Sequence, residues 1–211
     1  MFSWFKNKSK KLKSSYDSLV NFQTPNLLTR VIHLGGEIND ELCNKVVSQM
    51  LYLDAEDNSK PIYLKINSPG GSVTNALAII DTIKYVKSDV VTICQSVSGG
   101  IATLLLAGGK KGSRFSTIPA TIQVGEISNE RDESGTATDA EKREIVKICY
   151  LIDKTLCEYT GQPIQMIKKI KKISRISPWE AIEYGLIDQI LKSNTELYQY
   201  ISHKKDFKYG K

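Results

Sequence analysis

Thr92-Ile93-Cys94-Gln95-Ser96-Val97-Ser98-Gly99-Gly100-Ile101-Ala102-Thr103-Leu104-Leu105-Leu106-Ala107-Gly108-Gly109 is the stretch that decides the fold. A β-branched run passes into small residues and then into an apolar run, which predicts a strand, a tight turn and a buried helix in succession. Such a junction suits a catalytic nucleophile. The turn can lift one side chain clear of the backbone, while free N–H groups at the helix start stabilise an oxyanion. By spacing alone the candidate nucleophiles are Ser96 and Ser98.

Upstream, the same alternation recurs. Leu27 to Leu34 reads as a first strand closed by Gly35-Gly36. Asn39 or Asp40 can cap a helix that carries Leu42, Val46, Met50 and Leu53 on one face and ends near Glu56. Pro61 to Asn67 is a second strand, and Ser68-Pro69-Gly70-Gly71-Ser72 turns into a helix through Val73, Ala76, Ile80 and Ile83. Paired glycines there serve either a tight turn or the close approach of another backbone or bound group. The third strand, Asp89 to Cys94, is apolar enough to be buried on both faces, as parallel strands are. Strand alternating with helix predicts a parallel α/β core.

Downstream, Arg114 to Val124 holds one or two short extended segments, and Glu126 to Ala137 is loop-like. A helix from Thr138 to about Tyr159, with Ile145, Ile148, Ile152 and Leu156 on one stripe, is long enough to project and needs a partner surface. A short basic helix passes through Ile167 and Ile170. Ser177-Pro178-Trp179-Glu180 is a capping box with proline at the first helical position, and its helix stops at Gly185. Leu186 to Leu191 is a last strand.

The chain has 211 residues, 41% hydrophobic, which is enough for one well-buried domain with terminal tails. The divisions are a basic N-terminal arm at 1–24, the domain at 25–202 and a polar tail at 203–211. Of the formal net charge of +6, much lies in three lysine clusters, near Lys10, Lys169 and Lys205. Lysine blocks with few arginines read as solvated surface, and no nucleic-acid signature accompanies them, so neither nucleic acid nor membrane is an expected partner. No run approaches the ~20 apolar residues of a membrane span. Cys43, Cys94, Cys149 and Cys157 lie in apolar or helical segments without CxxC spacing, predicting buried thiols rather than disulfides or a metal site. No cofactor or metal is expected.

A serine nucleophile needs a base, usually a histidine held by a carboxylate. The chain has two histidines, His33 in the first strand and His203 in the tail, and neither is placed for that work.

Several ordered motifs carry a resemblance: Leu34-Gly35-Gly36-Glu37-Ile38-Asn39-Asp40, Ile62 to Val73 around Asn67-Ser68-Pro69-Gly70-Gly71, Gly135-Thr136-Ala137-Thr138-Asp139, Tyr159-Thr160-Gly161-Gln162-Pro163 and Ser177-Pro178-Trp179-Glu180-Ala181 with Glu183-Tyr184-Gly185-Leu186-Ile187-Asp188. Over roughly Asn26 to Lys192 the chain resembles the Clp protease proteolytic subunit, ClpP. The resemblance implies a ClpP/crotonase-like α/β fold with a parallel β core, flanking helices and a projecting handle helix. It also implies a seven-membered ring, either a homo-heptamer or a mixed heptamer with active ClpP-type subunits, served by an unfoldase of the AAA+ class.

The family's serine lies six places after the cysteine of its I-C-x-G pattern, and that count from Cys94 reaches Gly100. Leu105-Leu106, Gly109, Lys111-Gly112 and Arg114-Phe115 hold the same ungapped register. Sliding Ser98 onto the serine would insert two residues and rotate the buried helix by roughly 200°. The family's histidine, eleven places after the Arg-Phe arginine, falls on Gly125, and its aspartate falls on Ile173. The oxyanion donors transfer to the backbone N–H groups of Gly71 and Ile101. The resemblance is therefore to the noncatalytic ClpR paralogue of plastids and cyanobacteria. It implies a chain that is not an enzyme, a structural and regulatory ring subunit in a plastid-type organelle. The two-residue longer loop between Gly125 and Asp139 departs from the family where rings meet, and it leaves a single and a double ring as alternatives. The alternatives are an active serine peptidase with a displaced nucleophile at Ser98 and, remotely, an acyl-CoA-binding crotonase relative.

Overall fold

The computed structural model describes residues 29–125, 138–193, 196 and 200. The N-terminal arm, the 126–137 loop on which the choice between a single and a double ring rests, the 203–211 tail and His203 lie outside these residues. The chain runs β1 (Val31–Gly35), α1 (Asp40–Glu56), β2 (Ile62–Ser68), α2 (Val73–Tyr85), β3 (Val90–Gly99), α3 (Ile101–Ala107), β4 (Arg114–Thr117), β5 (Thr121–Gln123), α4 (Asp139–Thr160), α5 (Ile164–Lys171), α6 (Pro178–Glu183) and β6 (Gln189–Leu191). The strands form one parallel sheet in the order β1-β2-β3-β4-β6, and β5 also pairs with β3. The α/β class with a parallel core is as expected.

Helix starts follow the local chemistry. The Asn39 side chain accepts from Leu42 N at 2.9 Å, and α1 buries Cys43, Val46, Met50 and Leu53. Ser72 caps α2. At α6 the capping box is complete: Ser177 accepts from Glu180 N while the Glu180 carboxylate accepts from Ser177 N at 2.8 Å. Buried residues from all six described helices join a single core with Ile32, Leu34, Leu64 and Ile66 of the sheet. The opposite sheet face carries its own smaller cluster of Val31, Tyr63, Val91, Ile93, Phe115 and Leu191.

Three expectations need correction. The third strand does not stop at Cys94 but continues to Gly99, because Val97, Ser98 and Gly99 pair with Thr121, Ile122 and Gln123 of β5. That partner lies more than twenty residues on, where local composition carries no sign of it. The last strand begins at Gln189, not Leu186. Leu186 N and Ile187 N instead donate to Ala181 O, closing the end of α6 before the strand can start. Of the four thiols, Cys43 and Cys94 are buried as expected, but Cys149 and Cys157 are only half-buried; none forms a disulfide.

Helix α4 has two characters. Its C-terminal half buries Ile152 and Leu156, and Asp153 pairs with Lys171 of α5 at 2.8 Å. Its outer face is open to solvent, with Val146 and Tyr150 each 68% exposed one turn apart. Its 22 residues span about 33 Å. Among the described residues no helix is long and apolar enough to cross a membrane.

Candidate active site

The site forms where three backbone segments meet. Strand β3 ends at Gly99, and Gly100 then turns the chain with φ +50° and ψ −125° into α3. This is a strained conformation for a residue with a side chain and the shape of an elbow that presents one position outward. Thr103 fixes the elbow from inside. Its fully buried hydroxyl lies 2.8 Å from Ser98 O and 2.9 Å from Gln123 O, so the first turn of α3 is tied to the ends of both β3 and β5.

The second segment is the β2–α2 turn. Ile38 N donates to Gly70 O and Ser72 N donates to Ile38 O, both at 2.8 Å, so Ile38 and Gly71 form a parallel bridge. What the paired glycines admit is thus the chain's own β1–α1 connection. In a parallel bridge the bonds run to the neighbours of Gly71, leaving its own N–H directed away from Ile38. A methyl group on Gly70 would lie 2.9 Å from Gly99 O and 3.6 Å from Ile101 N, so this turn is packed directly against the elbow.

The third segment is the chain after β5. A Cβ on Gly125 would lie 3.7 Å from Gly100 Cα, so these two expected positions face each other. Ile173 follows α5 and packs on the main core. Ile122 and Ile176 form an antiparallel bridge with N–H to O distances of 3.2 and 2.7 Å. Gly125 and Ile173 each lie three residues along from that bridge, on its same side.

The alternative nucleophiles sit elsewhere. Ser98 is fully buried, and its hydroxyl donates to Thr103 Oγ1 at 3.5 Å. Ser96 is exposed and lines a cleft of about 500 Å³ with Asn67, Gln95, Thr117 and Lys192, a cleft whose walls include neither Gly100 nor Gly125. His33 is exposed on β1; burial of its surroundings, then Lys65, then Lys45, hold its pKa below the usual value. The Cys94 thiol is pushed up to about 12 by burial, against an opposing hydrogen bond with Ser116, so it is no thiolate at neutral pH. Among the described residues no three His, Cys, Asp or Glu side chains are grouped as a metal ion would need. Ser98→Ala is expected to leave peptide turnover by an assembled complex unchanged, as measured with a fluorogenic peptide; a loss with ring mass retained would restore Ser98 as a candidate.

A parallel sheet whose longest strand ends in a glycine elbow, held against a Ser-Pro-Gly-Gly turn, defines a Clp protease fold. The Clp protease family model matches residues 15–194, and the chain belongs to that family. It is 42% identical over 188 residues to the ATP-dependent Clp protease proteolytic subunit 2 of Prochlorococcus marinus strain MIT 9312, covering 88% of this chain and 93% of the relative. It is also 41% identical over 185 residues to proteolytic subunit 3 of Synechococcus sp. strain CC9605, covering 87% and 92%.

These names correct the expectation that the chain is not an enzyme. Its relatives are proteolytic subunits of a protease, which places the chain among peptidase subunits. That expectation rested on residue identities at three positions. Such a count does not register the elbow geometry at Gly100 or the turn packed against it. The names also do not single out the ClpR paralogue, since they run across proteolytic subunits 2 and 3.

Proposed function

We propose that this chain is a ring-building subunit of an ATP-dependent Clp protease complex, contributing to a heptameric ring and to docking of an AAA+ unfoldase. The observation that carries the reading is helix α4, whose outer face exposes Val146, Tyr150 and Leu151 to solvent in the isolated chain. An exposed apolar stripe on the outer face of a helix whose inner face is already packed is what a neighbouring subunit would cover. The ring is a homo-heptamer or a mixed heptamer with ClpP-type subunits.

Within that ring, Gly100, Gly125 and Ile173 occupy the places of the family's serine, histidine and aspartate, and Gly71 and Ile101 supply its backbone oxyanion donors. Support comes from the Gly100 elbow, from Gly125 facing it, and from the bridge that leads Gly125 and Ile173 off in one direction. Because the relatives are cyanobacterial, a plastid-type organelle is the proposed location.

Native mass spectrometry of the purified chain, alone and mixed with a cyanobacterial proteolytic subunit, tests the assembly. The expected species hold seven chains or a multiple of seven. A chain that stays monomeric in both samples would sink the proposal.

A further inference from the structure

Helix α3 is apolar except at Thr103, whose side chain is fully buried. A hydroxyl in such a place costs stability unless it is bonded, and a helical threonine normally satisfies it on the carbonyl four residues back. Thr82, Thr155 and Thr160 all do so, at 2.9, 2.9 and 2.6 Å. Thr103 does not. Its hydroxyl reaches out of the helix to two strand ends, lying 2.8 Å from Ser98 O and 2.9 Å from Gln123 O.

A hydroxyl has one proton, so Thr103 donates to one of these carbonyls at a time or shares its proton between them. The Ser98 hydroxyl, also fully buried, donates to Thr103 Oγ1 at 3.5 Å and completes the network. The two acceptors lie at matching places in the chain. Ser98 is two residues before Gly100, and Gln123 is two residues before Gly125. Those are the positions that face each other, with a Cβ on Gly125 only 3.7 Å from Gly100 Cα. Strand β5, which delivers Gly125, is three residues long. Besides its pairing with β3 and the Thr103 hydroxyl, it is held by the Ile122–Ile176 bridge. So short a strand has few ties to lose.

We propose that Thr103 is a positioning residue for this site: its one hydroxyl proton, held between Ser98 O and Gln123 O, sets how closely the Gly125 segment stands to the Gly100 elbow. Thr103 acts through the two strand ends and not on a bound polypeptide itself. The inference rests on the reading of Gly100 and Gly125 as the site. Its test reads those segments within the chain, so it can fail while ring assembly stands, and ring assembly can fail while it stands.

Hydrogen–deuterium exchange of the full chain, with mass spectrometry of fragments covering residues 120–125 and, as a reference, 40–56, provides that test. In Thr103→Val, which keeps the shape and removes the proton, exchange over 120–125 is expected to rise about fivefold or more, the effect of losing one buried hydrogen bond, with 40–56 unchanged. Thr103→Ser, which keeps the hydroxyl, is expected to match the unsubstituted chain. Unchanged exchange in Thr103→Val would overturn the proposal. Equal acceleration of both fragments would do so too, since it reports a loss of global stability, and so would a Thr103→Ser variant that exchanges as fast as Thr103→Val. Thr103→Ala, with the same expectations, takes the place of Thr103→Val if that variant does not fold. If neither folds, Thr103 is a requirement for folding and the proposal fails.

Discussion

Replacing Asp188 with alanine is expected to cost about 3–5 kcal/mol of folding stability, the effect of stripping the partner from a buried charge. Arg114 is that charge. Its side chain is 3% exposed, and its guanidinium binds both Asp188 oxygens, at 2.6 and 2.9 Å. The same carboxylate accepts from Gly112 N and Arg114 N, while the other arm of Arg114 donates to Ala107 O and Tyr159 O. One ion pair thus ties β4, the end of α3, the end of α4 and the approach to β6. Without Asp188 the guanidinium has no counter-ion among these contacts, and two backbone N–H groups lose their acceptor.

The pair also gives stability a direction with pH. Burial raises the Asp188 pKa, but the Arg114 hydrogen bonds and charge outweigh it, so the folded carboxyl titrates below its ordinary value. Such a group stabilises fully above the unfolded carboxylate range, near pKa ~4, and loses that contribution as pH falls toward the depressed folded value. Urea unfolding at neutral pH and near pH 3 measures both claims. A loss below about 1 kcal/mol in the alanine variant, or acid sensitivity unchanged by the substitution, would refute them.

Gly71→Ala carries the second large effect. A Cβ there would lie 2.5 Å from Ile38 O and 2.6 Å from Ile38 N, and φ is +135°. Collision with fixed backbone costs roughly 1–3 kcal/mol and the strained dihedral about as much, for a total of about 2–6 kcal/mol. Gly100→Ala is the informative comparison. It shares a positive φ, but its nearest neighbour, Pro69 O, is 3.7 Å away, so only the strain of about 1–3 kcal/mol applies. Thermal unfolding of the two variants should rank Gly71→Ala well below Gly100→Ala. Equal losses would mean that the Ile38 bridge yields, and that the turn is looser than its hydrogen bonds imply.

Local chemistry made much of this fold legible. Asn39, Ser72 and Ser177 announce three helix starts, and in each case the side chain accepts the hydrogen bond that residue type supplies. The alternation of strand and helix was enough for the parallel core. What could not be read was pairing at a distance. Gln95 to Gly99 has the small, polar composition of a turn, and it is strand because β2 and β5 hold it on either side.

At the site, counting from Cys94 brought out Gly100, and counting from Arg114 brought out Gly125, whose mutual approach no spacing could show. Thr103 was missed. It looks like one more residue of an apolar helix, and its role depends on carbonyls five and twenty residues away. Whether the chain is an enzyme was also beyond a count of three side chains, and there the family relation carried more than the residues did.

The branching of β3 bears on the order in which the molecule can form. Its first half pairs with β4 and its second half with β5, while its other edge pairs with β2 from Val90 to Cys94 and again, after a register shift, at Ser98. The β1-α1-β2-α2-β3 portion closes short loops, whereas Asp188 reaches Arg114 across 74 intervening steps of chain. Loop-closure entropy therefore favours the N-terminal half as the early-forming unit, with β6 docking afterwards. The Gly100 elbow, which needs β5 to hold the end of β3, belongs to the later stage, so its geometry is completed only after most of the sheet exists.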